Sequence, residues 1–338
     1  MREALHKMKI LILGVNGFIG NALAKELIKK DHVNVYGLDI NSNNIKDLLI
    51  NKNFHFKKGY VEKNDKWVEN QIKKCEVIIP LIAIATPKVY VTDPLKVFQL
   101  DFESNLKIIK LCSKYKKFIL FPSTSEVYGM SKDEKFNEYK TNLVVGPVHK
   151  SRWIYSISKQ LLDRVIIAYG EQRKLKYTLF RPFNWIGPKL DTLKRAQLGN
   201  GRVITVMISN LIKNKNITLV NNGVQKRSFT YLDDGVNALM KIINIRNQLN
   251  KKIFNIGNPK NNISIKKLSE ILLEEYNINL TNNYTGKIVC RTEKSFYGNS
   301  YQDISQRVPD ISEAKKLLKW EPKINLRKSI QLTLKSYL

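Results

Sequence analysis

The run KILILGVNGFIGNALAKELIKK, Lys9 to Lys30, decides the fold because its period changes at Gly14. KILIL reads as a buried strand, and FIGNALAKELIKK as an amphipathic helix. Between them Gly14, Gly17, Phe18, Ile19 and Gly20 form a G-x-x-G-x-x-G turn. Glycines at this spacing permit a tight turn, close approach of backbone to a pyrophosphate, and close packing of the following helix, whose N-terminus favours negative charge. The bare spacing is weak evidence, since a glycine-rich structural turn would read the same. Context strengthens it: the next apolar run, VNVYGLD, ends on Asp39, where a carboxylate accepts from adenosine ribose hydroxyls and repels a 2′-phosphate. That order predicts NAD rather than NADP.

Outward from this unit, EVIIPLIA (76–83), KFILFPS (117–123) and YTLFRPF (177–183) read as further strands. Amphipathic segments such as DPLKVFQLDFESNLKIIKLCSKY (93–115) lie between them. Strands alternating with helices predict an α/β protein of the Rossmann type, with a doubly wound parallel sheet. After Phe183 the pattern loosens, then returns with RSFTYLDDGVNALMKII and KIFNIGNP and closes on AKKLLKWEPKINLRKSI. The expected organisation is a dinucleotide-binding domain of residues 1–182 plus 228–258, and a smaller, discontinuous substrate-binding lobe of residues 183–227 plus 259–338.

Composition narrows the classes. The chain of 338 residues carries 58 Lys and Arg against 29 Asp and Glu, a formal net charge of +29. The surplus is mostly Lys scattered over polar helix faces, with no basic block interleaved with aromatics. That argues against nucleic acid and for a field that speeds capture of an anionic small molecule. No window approaches the ~18 apolar residues of a membrane span, and the start lacks a secretory apolar run, so a cytoplasmic protein is expected. Cys75, Cys112 and Cys290 are odd in number and unpatterned, which reads as core thiols and predicts no metal site.

Two further motifs carry chemistry. PSTSEVYGM (122–130) places Thr124, Ser125 and Glu126 at the carboxyl end of a buried strand, the edge that faces the ligand crevice of an open α/β sheet. In RWIYSISKQLLDRVIIAYG, Tyr155 and Lys159 stand four apart and share one helix face. A Lys ammonium beside a phenol lowers the phenol's pKa and makes Tyr a usable base. Alone, Y-x-x-x-K is common by chance. Joined to the hydroxyl-bearing strand end it predicts that Thr124 or Ser125 holds a substrate hydroxyl while Tyr155 removes its proton and the adjacent carbon gives hydride to NAD.

With RPFNWIGP, RSFTYLDD and LLKWEPKINL, these motifs resemble the extended short-chain dehydrogenase/reductases that act on nucleotide sugars, over nearly the whole chain. Within them, ILGVNGFIGN, KKCEVIIPLIAIATP, FPSTSEVYGM and TLFRPFNWIGPKLD are similar to the UDP-glucuronic acid decarboxylase domains of the ArnA family of bifunctional polymyxin-resistance proteins. The resemblance implies oxidation of the C4 hydroxyl of UDP-glucuronic acid, decarboxylation to a UDP-4-keto-pentose, and a role in modifying lipid A with 4-amino-4-deoxy-arabinose. It assigns Tyr155, Lys159, Thr124, Ser125, Glu126 and Arg307 to catalysis, Glu126 and Arg307 serving the decarboxylation. Gly14, Gly17, Phe18, Ile19, Gly20, Asp39, Tyr60, Val61, Tyr155 and Lys159 are implied for the cofactor. Ala85, Tyr90, Thr124, Ser125, Arg152, Asn184, Arg227 and Tyr301 are implied for the UDP-sugar.

Three departures stand out. Where the family has an Asp that contacts adenine this chain reads Gly59-Tyr60-Val61, and where it has a Lys before the QKR loop this chain has Thr218. The first strand begins so near the N-terminus that a chain without the fused formyltransferase is expected. A homo-oligomer pairing through the Tyr155 helix is also implied. The alternatives are a UDP-xylose synthase, which would reduce the ketone again, a non-catalytic NAD-binding scaffold, and an RNA binder working through the basic surplus.

Overall fold

The computed structural model describes residues 7–279 and 284–338. Residues 1–6 and 280–283, which the two expected lobes include, lie outside the described residues. Seven strands form one parallel sheet: β1 (Met8–Leu13), β2 (Val33–Asp39), β3 (Phe54–Lys58), β4 (Val77–Pro80), β5 (Phe118–Pro122), β6 (Lys176–Pro182) and, after four short strands, β11 (Lys252–Ile256). Their spatial order is β11-β6-β5-β4-β1-β2-β3. The chain winds outward from β1 in one direction to β3 and in the other through β4 to β11. The crevice at the carboxyl ends of β1 and β4 is therefore the switch point where such sheets bind ligands.

The sheet's strands are apolar because most are covered on both faces. Ile10 and Ile12 of β1, Ile79 of β4 and Leu120 of β5 join one layer with Leu23 and Leu27 of α1 (Phe18–Leu27). Leu11, Leu13, Ile78, Ile119 and Phe121 point the other way, against Ile72 of α2 (Asp65–Lys74) and, further along the chain, Ile108 and Ile109 of α5 (Asn105–Lys114) and Leu162 and Ile166 of α6 (Trp153–Gln172). The short helices α3 (Pro87–Thr92) and α4 (Pro94–Phe98) precede α5.

Beyond β6 come β7 (Trp185–Ile186), α7 (Leu193–Gln197), α8 (Val203–Ile212), β8 (Ile217–Val220), β9 (Lys226–Ser228), β10 (Thr230–Tyr231) and α9 (Leu232–Asn244). After β11 follow β12 (Asn262–Ser264), α10 (Ile265–Asn279), β13 (Ile288–Arg291), α11 (Glu293–Tyr297), α12 (Ser312–Leu318) and α13 (Leu326–Lys335). β7 pairs with β10, β8 with β13 and β9 with β12. α8, α10 and α13 gather a separate apolar cluster around Ile208, Leu272 and Ile330. No helix among the described residues is long and apolar enough to cross a membrane.

Three findings differ from the sequence reading. β3 was not among the expected strands, because as an edge strand it buries Phe54 and exposes His55, Lys57 and Lys58, which leaves no apolar run. Residues 93–115 are not one uniform helix: between α4 and α5, Gln99–Ser104 is π-helical. Cys75 and Cys112 are buried, and burial pushes the Cys75 thiol up to about 12. Cys290 is instead exposed on β13, whose burial is slight along its whole length, so it is not a core thiol.

Candidate active site

The glycine turn sits where β1 ends and α1 begins. Gly14 has φ +85°, a left-handed conformation that favours glycine, and a Cβ there would stand 2.8 Å from the Leu81 carbonyl oxygen. A Cβ on Gly20 would meet the Gly14 carbonyl oxygen at 2.4 Å, so only glycine lets α1 approach the turn. The bare backbone thus leaves a cradle at a helix N-terminus, which fits a pyrophosphate. Asp39, at the end of β2, accepts from the backbone N–H of Asn16 at 2.9 Å and of Asn41 at 3.3 Å. Burial raises its carboxyl despite those bonds. Tyr60 is exposed at the rim with the Lys63 ammonium 5.7 Å from its ring centre, and Val61 is buried beside it. These residues suit the dinucleotide expected from the sequence.

From this cradle a single cavity of about 1790 Å³ runs along the switch-point crevice into the second group of helices. It is lined by Thr124, Ser125, Glu126, Tyr155 and Lys159, and further on by Ala85, Tyr90, Asn184, Arg227, Tyr301 and Arg307. Of the expected site residues only Arg152 does not line it. Its guanidinium is 1% exposed, covered by Glu126 and by the rings of Trp153 and Tyr301, 4.3 and 5.4 Å away.

Strand β5 and helix α6 bring the expected catalytic residues together. Past Pro122 the chain turns into Ser125–Tyr128, and the Thr124 hydroxyl accepts from the Glu126 N–H at 3.2 Å, capping that turn. α6 crosses beneath it with Tyr155 and Lys159 on its buried face. The Tyr155 ring stacks on Tyr90 with centroids 4.8 Å apart and planes 8° from parallel. Burial, followed by the charges of Asp101 and Glu126, holds its phenol well above the ordinary value, and a hydrogen bond with Thr124 opposes them. Lys159 donates to the Pro122 carbonyl at 3.1 Å, and burial pushes its pKa down.

Glu126 is the electrostatic centre. Its two oxygens are held by Arg152 Nη2 at 2.9 Å and Arg307 Nη1 at 2.5 Å. Burial alone would raise its carboxyl, but Arg152, Arg307 and Arg227 outweigh it and hold the group down to about 2. Glu126 is therefore an anion at neutral pH, held by guanidinium groups. Arg307 also reaches the Ser125 hydroxyl at 3.4 Å. Arg227, on β9, donates to Asp303 at 2.7 Å and to the Ile304 carbonyl at 2.7 Å. Asn184, at φ +40°, donates to the Ser228 carbonyl at 3.3 Å.

Two buried or half-buried acids at the site escaped the sequence reading. Asp101 lies 3.9 Å from Lys159, and Asp303 clasps Arg227. Asp101 stood on an apparently ordinary amphipathic segment, where a single acid reads as solvated. It lies in the π-helical turn, on the same buried side as Val97 and Asn105. Asp303 had a weak signal, its place in the same YQDISQR stretch as Tyr301 and Arg307. No group of three or more metal-ligating side chains exists among the described residues.

A family model described as "NAD dependent epimerase/dehydratase family" matches residues 10–257. Among solved structures, the chain is similar to the PbgP3 protein from Burkholderia pseudomallei, at 42% identity and TM-score 0.88 over 98% of this chain and 96% of that one. Two further structures share the fold: UDP-glucose 4-epimerase from Thermotoga maritima, at 22% identity and TM-score 0.82 over 98% of each chain, and UDP-glucuronic acid 4-epimerase from Bacillus cereus, at 22% identity and TM-score 0.80 over 98% of this chain and 99% of that one.

Proposed function

This chain belongs to the NAD dependent epimerase/dehydratase family, with NAD as its cofactor, and on that premise we propose that it oxidatively decarboxylates UDP-glucuronic acid to a UDP-4-keto-pentose. The observation that carries the reading is the Glu126 carboxylate bridging Arg152 and Arg307 beside Ser125 and Tyr155. A buried guanidinium beside the catalytic hydroxyls is what a sugar bearing a carboxylate requires. A bound nucleotide diphosphate would be met by Arg227.

Bound NAD would accept the hydride that leaves C4 of the sugar. Tyr155 takes the C4 hydroxyl proton, and Lys159 below it stabilises the phenolate that must form first. The product of that step carries a ketone β to the C5 carboxylate. Arg307 engages that carboxylate, but Glu126 already occupies the same guanidinium. Two carboxylates then face one cation in a dry pocket, which disfavours the charged sugar and favours loss of carbon dioxide. The bond from C5 to the carboxyl carbon breaks, and its electrons pass through C5 into an enolate at C4. The Thr124 and Ser125 hydroxyls and the now protonated Tyr155 stabilise that oxyanion. Protonation at C5, from water positioned by Arg307, completes the ketone, since a guanidinium itself is not deprotonated in proteins.

Residues 1–182 plus 228–258 hold the dinucleotide in this reading, and residues 183–227 plus 259–338 hold the UDP-sugar. The product would supply the 4-amino-4-deoxy-arabinose modification of lipid A. The resemblance of the quoted sequence runs supports that role. Incubation with UDP-glucuronic acid and NAD, followed at 340 nm and by mass spectrometry, tests the reaction, with Tyr155→Phe as the inactive control. Stoichiometric NADH with a 4-keto-pentose is expected. UDP-xylose without net NADH would instead show that the ketone is reduced in place, and UDP-galacturonic acid would show epimerisation.

A further inference from the structure

α4 ends at Phe98 and α5 begins at Asn105, and the turn between them, Gln99–Ser104, is π-helical. A π-turn inserts an extra residue into a helix and re-aims the side chains around it, an arrangement frequent at functional sites. Here Asp101 is fully buried. One carboxyl oxygen, Oδ2, accepts from the Ile84 N–H at 2.9 Å. The other, Oδ1, has no hydrogen-bond partner among the described residues and lies 3.9 Å from Lys159 Nζ. The first residue of α5 holds the loop that follows β4 a second time, because Asn105 donates to the Ile82 carbonyl at 3.3 Å, and it also donates to the Asp101 carbonyl at 3.2 Å.

The other charged groups near the pair are accounted for. Asp163, one turn further along α6, accepts from Ser123 at 2.8 Å and is paired with Arg181 at 3.0 Å. Glu126, which faces Tyr155 from the turn after β5, is paired with Arg152 and Arg307. Arg202, at the start of α8, acts on Tyr155 and is paired with Asp191. Tyr90, from α3, stacks on Tyr155. Among the described residues Asp101 is thus the one acid near Lys159 with no other cationic partner.

We propose that Asp101 is a positioning residue of the active site, the counterion that keeps Lys159 protonated in a dry pocket and thereby sets the pH window in which Tyr155 can accept a proton. The inference rests on Tyr155 as base and Lys159 as its cation, and not on which sugar is bound. A buried ammonium without a counterion surrenders its proton. Burial raises the Asp101 carboxyl to about 6, and Lys159 draws it back. The sign of the effect follows: an anion favours the protonated form of every neighbour, so removing it lowers the pKa of both Tyr155 and Lys159.

Asp101→Asn keeps an acceptor for the Ile84 N–H and removes the charge. Tyr155 ionisation is read without sugar, in NAD-bound protein, as the 295 nm absorbance titration lost on Tyr155→Phe in each background. In Asp101→Asn that titration should move down by about one pH unit, the size expected for one nearby charge. With UDP-glucuronic acid, both limbs of the kcat profile should move to lower pH. A purely structural role would lower the plateau and leave the limbs and the titration in place, and that result in a folded variant overturns the proposal. Failure of the wild type to turn over the sugar would sink the proposed reaction and leave the titration to decide on Asp101. Lys159→Met supplies a measurement that does not depend on the Asn variant folding. In protein labelled with ¹³C at aspartate carboxyls, one carboxyl titrating near pH 6 should move upward in that variant, and its failure to move overturns the pairing.

Discussion

Glu126 and Arg307 stand far apart in sequence and touch in the fold, and their pairing fixes what each can do. With its carboxyl held at about 2, Glu126 stays ionised throughout the working range, so its titration cannot set the acid limb of activity. Glu126→Gln should lower kcat by more than tenfold while leaving that limb where it is. Arg307→Met should lower kcat more than it weakens UDP-sugar binding, which calorimetry with UDP-glucuronic acid would show. Wild-type rates in either variant would remove that residue from the mechanism. Stability gives an independent check. The folded carboxyl titrates below its unfolded value, so its stabilisation is present above the ordinary carboxylate range and is lost as pH falls toward about 2. Breaking a buried pair costs about 3–5 kcal/mol. Denaturant unfolding of Glu126→Gln should show a deficit of that order at pH 7 that shrinks as pH falls from the ordinary carboxylate range toward about 2. The convergence of Thr124, Ser125, Glu126, Tyr155 and Lys159 on one cavity was legible, since they sit in short motifs. Asp101 was not legible, because a lone acid on an amphipathic segment reads as solvated, whereas here it is buried beside Lys159.

At the level of elements, the unit β1, glycine turn, α1 is the most constrained part of the chain. A methyl group on Gly20 must displace the backbone of Gly14, not a flexible side chain. Overpacking of this kind costs about 1–3 kcal/mol, and here it also opens the cradle. Gly20→Ala should therefore lower the melting temperature and weaken NAD binding at least tenfold, as fluorescence titration would show. Intact affinity would mean that the close approach of α1 is not what positions the cofactor. Strands β1, β2, β4, β5 and β6 were readable because most are buried on both faces and so spell continuous apolar runs. β3 was hidden by its edge position, which lets water reach its lysines.

On the scale of the whole molecule, the parallel sheet delivers the ends of β1, β2, β4 and β5 to one rim, and the helices after β6 close over them. α6 carries Tyr155 inward and leaves Ile157 42% and Leu161 45% exposed on its outer side, while α4, packed against it, leaves Leu95 72% exposed. Large apolar side chains held in water on the helix that carries Tyr155 would give the homo-oligomer expected from the sequence a face to pair on. Sedimentation should find a dimer, and Leu161→Lys should shift it to monomer without moving the Tyr155 titration. A monomeric wild type would dismiss that pairing.

By itself the sequence determined the alternation of strands and helices, the glycine cradle with Asp39, and the motif that sets Tyr155 and Lys159 on one helix face, because each depends on neighbours a few positions away. Only the tertiary structure decided that Glu126 is gripped by two arginines, that Arg152 lies behind the cavity wall, that Asp101 faces Lys159, and that Cys290 is exposed. Those are contacts across long loops, and their energies depend on burial and on the distance between charges, quantities that exist only once the chain has closed on itself.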